Sequence, residues 1–337
     1  MLRTAFKMLL VSIGAATLVS AGPAPTYVAS GSIAGPDGGW DYASVDGAAH
    51  RLYVAHGNTV LAVDLAHSNT IRLFGAIARA HAVVPIPGKS MLLVTSGHDN
   101  SVRLLDTGDG HELAQIAVGN DPDAAFYDPA TGHAMVMNAK SGTVSIIDVA
   151  TRKVIRTITL KPALEFGVLG NNNMLYVNNE DLNEIESANL TTGKIGAAIP
   201  LPGCTGPTGL GFDGKTGQLI SACANGKAAL VSVTSHKMVA LLPIGSGPDA
   251  VIMDMARRTA IIPNGRDGTL SIIALDAAGG AKVVSTAKSE VGARTGALNP
   301  ADGMLYLPTA HFSPPATAGA RPAAIPGSFH VAVMSRH

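Results

Sequence analysis

Charge is scarce in this chain. Only 14% of its 337 residues are Asp, Glu, Lys or Arg, and the two signs balance at 24 each. Residues 1–21 hold Arg3 and Lys7 and no acid, so the remainder carries a small acidic excess. Without a basic surplus there is no counterion-release drive toward duplex nucleic acid. Aromatic residues are only 4%, which argues against single-strand binding by base stacking. With just two cysteines, a disulfide-rich scaffold and a cysteine metal cluster are both excluded. Beyond residue 21 no apolar run approaches the roughly 20 residues of a membrane span. Catalytic signatures are missing too: there is no His-Glu-x-x-His, no Gly-Lys-Ser/Thr phosphate loop and no Gly-x-Ser-x-Gly elbow.

What is present begins with an export signal. Arg3 and Lys7 precede an apolar run over residues 8–19, and Val19-Ser20-Ala21 supplies small residues for cleavage before Gly22. The expected organisation is a signal peptide over 1–21 and one domain over 22–337. The expected location is periplasmic or secreted, with no membrane span after cleavage.

Glycine (38 residues) and proline (20) recur along the whole chain, as in many short strands joined by tight turns. The clearest unit starts at Asp121. Strands are expected at 124–127, 134–137, 143–147 and 154–158, separated by Asp128-Pro129-Ala130-Thr131-Gly132, Ser141-Gly142 and a turn at 150–152. Related segments start at Arg51, Met91, Met174, Gln218, Thr259 and Met304. The residues closing the third strands, Asp64, Asp106, Asp148 and Asn189, stand 42, 42 and 41 residues apart. A mean hydropathy of +0.27 requires such sheets to bury both faces against one another. The fold class is therefore all-β: a seven-bladed β-propeller of four-stranded antiparallel blades. The last unit lacks a fourth strand, and residues 27–33 have no other role. Pairing them beside 329–334 closes the ring and removes an exposed edge.

These units resemble the YVTN-repeat, or YncE-like, propeller family. The motif is carried best by Pro122-Asp123, Asp128-Pro129, Gly132, Met135-Val136-Met137-Asn138 and Val144-Ser145-Ile146-Ile147-Asp148. Leu52-Tyr53-Val54, Leu175-Tyr176-Val177-Asn178 and Pro248-Asp249 repeat parts of it. The resemblance implies the fold across nearly the whole mature chain. It implies little about function, because members serve several roles.

One position per repeat becomes a ring around a propeller axis. The residue opening the first strand reads Asp41, His81, Asp123, Glu165, Thr208, Asp249 and Arg294. Six of these seven are ionisable, a costly set to bury uncompensated. They are expected at a wet channel mouth. The end of the second strand, expected on the same face, holds His56, His98, Asn138, Asn178, Asn264 and His311. Asp and Asn at repeat positions also have a structural reading, as acceptors of backbone hydrogen bonds. The residues that break the repeat (His56, His81, His98, Glu165, Arg294 and His311) are the stronger functional candidates. Carboxylates and amides would suit calcium, and several imidazoles zinc or a similar metal, so a divalent metal in the channel is an open option.

Cys204 and Cys223 bracket two antiparallel strands of unit five and are expected to form a disulfide. The insert at 308–327 is Pro- and Ala-rich and aperiodic, so it is read as a loop near the ring, either a lid or a passive extension. Trp40, the single tryptophan, could wall the mouth or pack between blades. Two functions remain open. The first is a monomeric exported scaffold binding a protein or small-molecule ligand. The alternative is a divalent-metal-dependent lactonase or lyase working in the channel, by analogy with other propellers.

Overall fold

The computed structural model describes residues 25–314 and 322–337. The segment read as a signal peptide lies outside the described residues, as do residues 315–321 of the insert. Seven antiparallel four-stranded sheets make up the described chain. A single 3-10 turn, Asn171–Asn173, is the only helical element among the described residues.

Blade 1 comprises Ala43–Asp46, Arg51–His56, Thr59–Asp64 and Thr70–Phe74. Blade 2 comprises Ala80–Pro85, Met91–Ser96, Ser101–Asp106 and Glu112–Ala117, and blade 3 Pro122–Asp128, His133–Asn138, Thr143–Asp148 and Lys153–Thr159. Blade 4 comprises Leu164–Leu169, Met174–Asn179, Glu184–Asn189 and a short Ile199–Pro200. Blade 5 comprises Pro207–Asp213, Gln218–Cys223, Lys227–Ser232 and Lys237–Pro243, and blade 6 Ile252–Asp254, Thr259–Asn264, Thr269–Leu275 and Ala281–Lys288. Blade 7 takes Ala297–Leu298, Leu305–Thr309 and His330–Arg336 from the end of the chain and Tyr27–Ala34 from the beginning. In that closure Tyr27 pairs with Arg336 and Ala34 with His330. The backbone of Thr26 and His337 extends it, at 3.1 and 2.9 Å.

The middle strands are buried on both faces, which sets the stacking. Phe74, Tyr53 and Val60 of blade 1 pack on Leu92, Val94 and Leu105 of blade 2. Ile220 and Leu230 of blade 5 meet Ile262 and Ile273 of blade 6. The ring closes where Ile33 and Val331 of blade 7 meet Leu52, Val54 and Leu61 of blade 1. The repeating acid has a local cause. Asp148 Oδ1 accepts from the backbone N–H groups of Ala150 and Thr151, both at 2.9 Å. Asp64 and Asn189 accept in the same way from the backbone N–H groups two and three residues on, inside the turn. These turns lead the third strand into the fourth. Gly142 marks the preceding turn: it adopts φ +63°, and a Cβ there would lie 2.4 Å from the Lys161 carbonyl carbon.

The sulfurs of Cys204 and Cys223 are bonded, joining the approach to the first strand of blade 5 to the end of its second. The sequence separation is 19 residues. Loops of that size confer about 3 kcal/mol. Replacing both cysteines by serine should lower stability by about that amount in denaturant unfolding. Ile33 is 5% exposed and belongs to the apolar cluster that joins blade 7 to blade 1. Ile33→Ala should cost about 2–4 kcal/mol and leave the strand-rich circular dichroism spectrum of the folded state unchanged.

Candidate functional site

The strand register aligns one residue from each blade. In blade 3, Pro122 pairs with Asn138 and Ala125 with Val136, so Asp123 lies in a bulge between them. The same interruption places His81 after Ala80, Glu165 after Leu164 and Thr208 after Pro207. Asp249 follows the bridge between Pro248 and Asn264. The pairs Ala43–Val54 and Ala297–Tyr306 continue the register and put Asp41 and Arg294 at the same level.

Two linked groups form there. His81 Nδ1 lies 2.7 Å from Asp41 Oδ2 and 3.5 Å from Asp123 Oδ1. Across the mouth, Arg294 Nε donates to Asp249 Oδ2 at 2.7 Å, and Arg294 Nη2 lies 3.8 Å from Asp41 Oδ1. Asp41 therefore joins the imidazole half to the guanidinium half. His81 fits because residue 97 is glycine: a Cβ there would lie 2.9 Å from His81 Nε2. That nitrogen is buried with no hydrogen-bond partner among the described residues.

Hydroxyls between blades fix the ring backbone. Thr95 Oγ1 donates to the Asp123 carbonyl at 2.7 Å, and Thr295 Oγ1 to the Asp41 carbonyl at 2.8 Å. Thr208 Oγ1 donates to the Pro248 carbonyl at 3.2 Å. Beneath the ring, Tyr42 and Phe166 face each other with centroids 5.3 Å apart. Below them is a narrow cavity of about 110 Å³. Above the ring a depression of about 800 Å³ opens beside Trp40, Glu180, Asp249, Arg294 and the insert residues Phe312 and Pro322. The Trp40 ring both borders this space and packs on Phe312 and Phe329, at 6.2 and 5.5 Å.

Four carboxylates here face one guanidinium and one imidazole. Burial, and then the Asp41 charge, push Asp123 up to about 7, although His81 opposes the rise. Burial, followed by repulsion from Asp123 and Asp249, raises Glu165 to about 10. Asp249 rises to about 6 from burial and Asp41, tempered by Arg294. Burial pulls His81 down, but its hydrogen bond to Asp41 and the charges of Asp123 and Asp41 outweigh it and hold the imidazole above its usual value. At neutral pH the ring is thus an acidic site that retains protons. Asp41, His81 and Asp123 lie close enough for their ligand atoms to share a cation. The fit has a condition: the hydrogen bond between His81 Nδ1 and Asp41 must open first.

The other candidates lie elsewhere. The second strand ends at His56, Ser96, Asn138, Asn179, Cys223, Asn264 and Thr309 in successive blades. His98 is therefore two residues past its strand, on an exposed turn. His311 is likewise past its strand, exposed in the insert and beside Glu290. In these blades the repeat position at the strand end is taken by Ser96 and Thr309, and each histidine follows two residues later. His56 occupies that position but is buried against Phe329, with ring centroids 4.5 Å apart, and burial lowers its pKa. Asn138 Nδ2 donates to the Thr143 carbonyl and Ser145 Oγ, and Asn178 Nδ2 to the Thr208 and Gly209 carbonyls of the next blade. These amides serve the framework. Sequence reasoning does not flag Tyr42, Phe166, Thr95, Thr295 or Glu180, although Tyr42 and Phe166 each follow a ring residue directly.

Neither a protein-family model nor a curated protein matches this chain. A solved structure of Kuenenia stuttgartiensis hydrazine synthase is similar, with a TM-score of 0.69 over 82% of this chain and 92% of that chain at 15% sequence identity. At that identity the likeness shows the propeller fold alone.

Asp123, Glu165, Asp249 and His81 all have folded pKa values above their unfolded ones. Their stabilising share is complete below the unfolded values and is lost as pH rises through the folded ones. Melting temperature should therefore fall between about pH 5 and pH 8. Asp123→Asn should flatten that decline, as scanning calorimetry across the range would show.

Proposed function

We propose that the protein is an exported β-propeller that binds a positively charged ligand at its channel mouth. The observation that carries this reading is the surplus of carboxylates over cations in the ring, with acids pushed up to about 6, 7 and 10 by burial and then by their mutual repulsion. An arriving cation would relieve that repulsion and release the retained protons. The Trp40 ring at the edge of the depression offers a face to an ammonium group. Export rests on the pattern of residues 1–21, and the YVTN-like repeat agrees with a rigid binding scaffold. The disulfide is consistent with an oxidising compartment.

A second reading, a divalent-metal lactonase or lyase, draws on the closeness of Asp41, His81 and Asp123 and on a Glu165 that keeps its proton at neutral pH. There a bound metal would polarise a carbonyl, and Glu165 would be placed to donate a proton.

Calorimetric titration with putrescine and calcium separates these readings. Binding of one such cation per chain should tighten from pH 5 to pH 8 as Asp123 and Asp249 lose their protons. Asp249→Asn and Asp123→Asn should each weaken it about tenfold or more, equal to about 1.4 kcal/mol. A metal lost in Asp123→Asn, together with hydrolysis across a lactone panel, would establish the enzyme instead. If no probe binds, or if both variants bind as the parent does, the cation reading fails.

A further inference from the structure

A second polar cluster lies outside the ring, where the 308–327 insert leaves and rejoins blade 7. We propose that Glu290, His311 and His330 form a divalent transition-metal site of the zinc type, clamping both ends of the insert to the loop that enters blade 7. The residues come from three separate segments: the loop after blade 6, the start of the insert and the first residue of the last strand. Their ligand atoms lie within 4.8 Å of one another.

The hydrogen bonding of His330 is the deciding detail. Its Nδ1 lies 2.8 Å from the backbone carbonyl of Ser328. A carbonyl only accepts, so Nδ1 carries the proton. In the neutral ring Nε2 is then a bare lone pair, and it lies 3.0 Å from Glu290 Oε2. Two acceptors at that distance repel unless a second proton or a cation sits between them. His311 Nε2 approaches the same carboxylate oxygen at 4.0 Å, and the two imidazole centroids are 5.1 Å apart. A tetrahedral ion with bonds of about 2.0–2.2 Å holds its ligand atoms about 3.4 Å apart. The observed separations straddle that value, so small side-chain rotations complete three positions and leave a fourth for water.

The surroundings match what metal sites require. A backbone carbonyl on the far nitrogen of a ligating histidine fixes its tautomer and orientation. His330 is 8% exposed and so held by packing, whereas His311 is exposed and free to swing. The insert already closes at its base: Ile325 N donates to the His311 carbonyl at 2.8 Å, and Ser313 N to the Ala323 carbonyl at 2.9 Å. A metal there would add a stronger link between the same two ends. Two imidazoles with one carboxylate favour zinc or a neighbouring ion over calcium or magnesium. The clamp does not depend on the channel mouth binding anything.

The test is a zinc titration of untagged, chelator-treated protein by calorimetry, with melting temperature as a second readout. One zinc per chain is expected, accompanied by a rise in melting temperature. His311→Ala and Glu290→Gln change partly exposed groups and should leave the fold intact while weakening zinc binding at least tenfold. Asp123→Asn in the mouth, and His111→Ala in the exposed cluster with Asp106 and Asp109, should leave it unchanged. No stoichiometric zinc would mean that His330 and Glu290 form an ion pair only, and the proposal would be wrong. It would be equally wrong if zinc bound normally to His311→Ala and Glu290→Gln, or were lost only in Asp123→Asn or His111→Ala. The Asp123→Asn outcome would move the metal to the channel, so this proposal and the reading of the mouth fail separately.

Discussion

A four-stranded sheet that is apolar on both faces has no stable existence alone, and the rest of this molecule follows from that constraint. Each blade exposes too much hydrocarbon on either side, so each requires a neighbour on both sides. A linear stack would leave two apolar faces in water, whereas a ring leaves none. Closure is therefore the step on which the other contacts depend. It is made by Tyr27–Ala34 against His330–Arg336, with Ile33 set into the interface with blade 1.

A ring in turn creates an axis, and the axis concentrates chemistry. In blades 2 to 5 a bulge after the first residue of the inner strand releases the ring residue from the strand pairing, and in the other blades the ring residue lies just ahead of the inner strand. Acids set there meet other acids. Burial and repulsion then do what neither would do alone, keeping protons on Asp123 and Glu165 near neutrality. The inter-blade hydroxyls of Thr95, Thr208 and Thr295 hold the backbone while the side chains repel.

Much of this could be read from the sequence, and the reasons are local. The spacing of Asp64, Asp106, Asp148 and Asn189 is regular because each side chain caps the same turn. The ring position was legible because its neighbours fall at fixed offsets in a strand of period two. The second-strand ends were legible only in part. His98 and His311 each lie two residues past a strand end that the motif letters do not mark, because Ser96 and Thr309 stand where blades 1, 3, 4 and 6 carry His56 or an amide. The tie of His311 to Glu290 and His330 spans a 20-residue irregular insert, and no periodicity crosses it. Tyr42 and Phe166 are not legible as site residues because an aromatic side chain after a strand start looks like ordinary core, and only the convergence of blades brings the two rings together.

The bulge has a further consequence. Because the bulged residues of blades 2 to 5 lie outside the strand pairing, the hairpins make little demand on their side chains, except at Thr208, whose hydroxyl ties blade 5 to blade 6. Exchanging Asp, His or Glu among those sites would recompose the charge of the opening while the hairpins stay paired. The opening behaves as a lock whose pins are cut on separate blades but sense one another's charge.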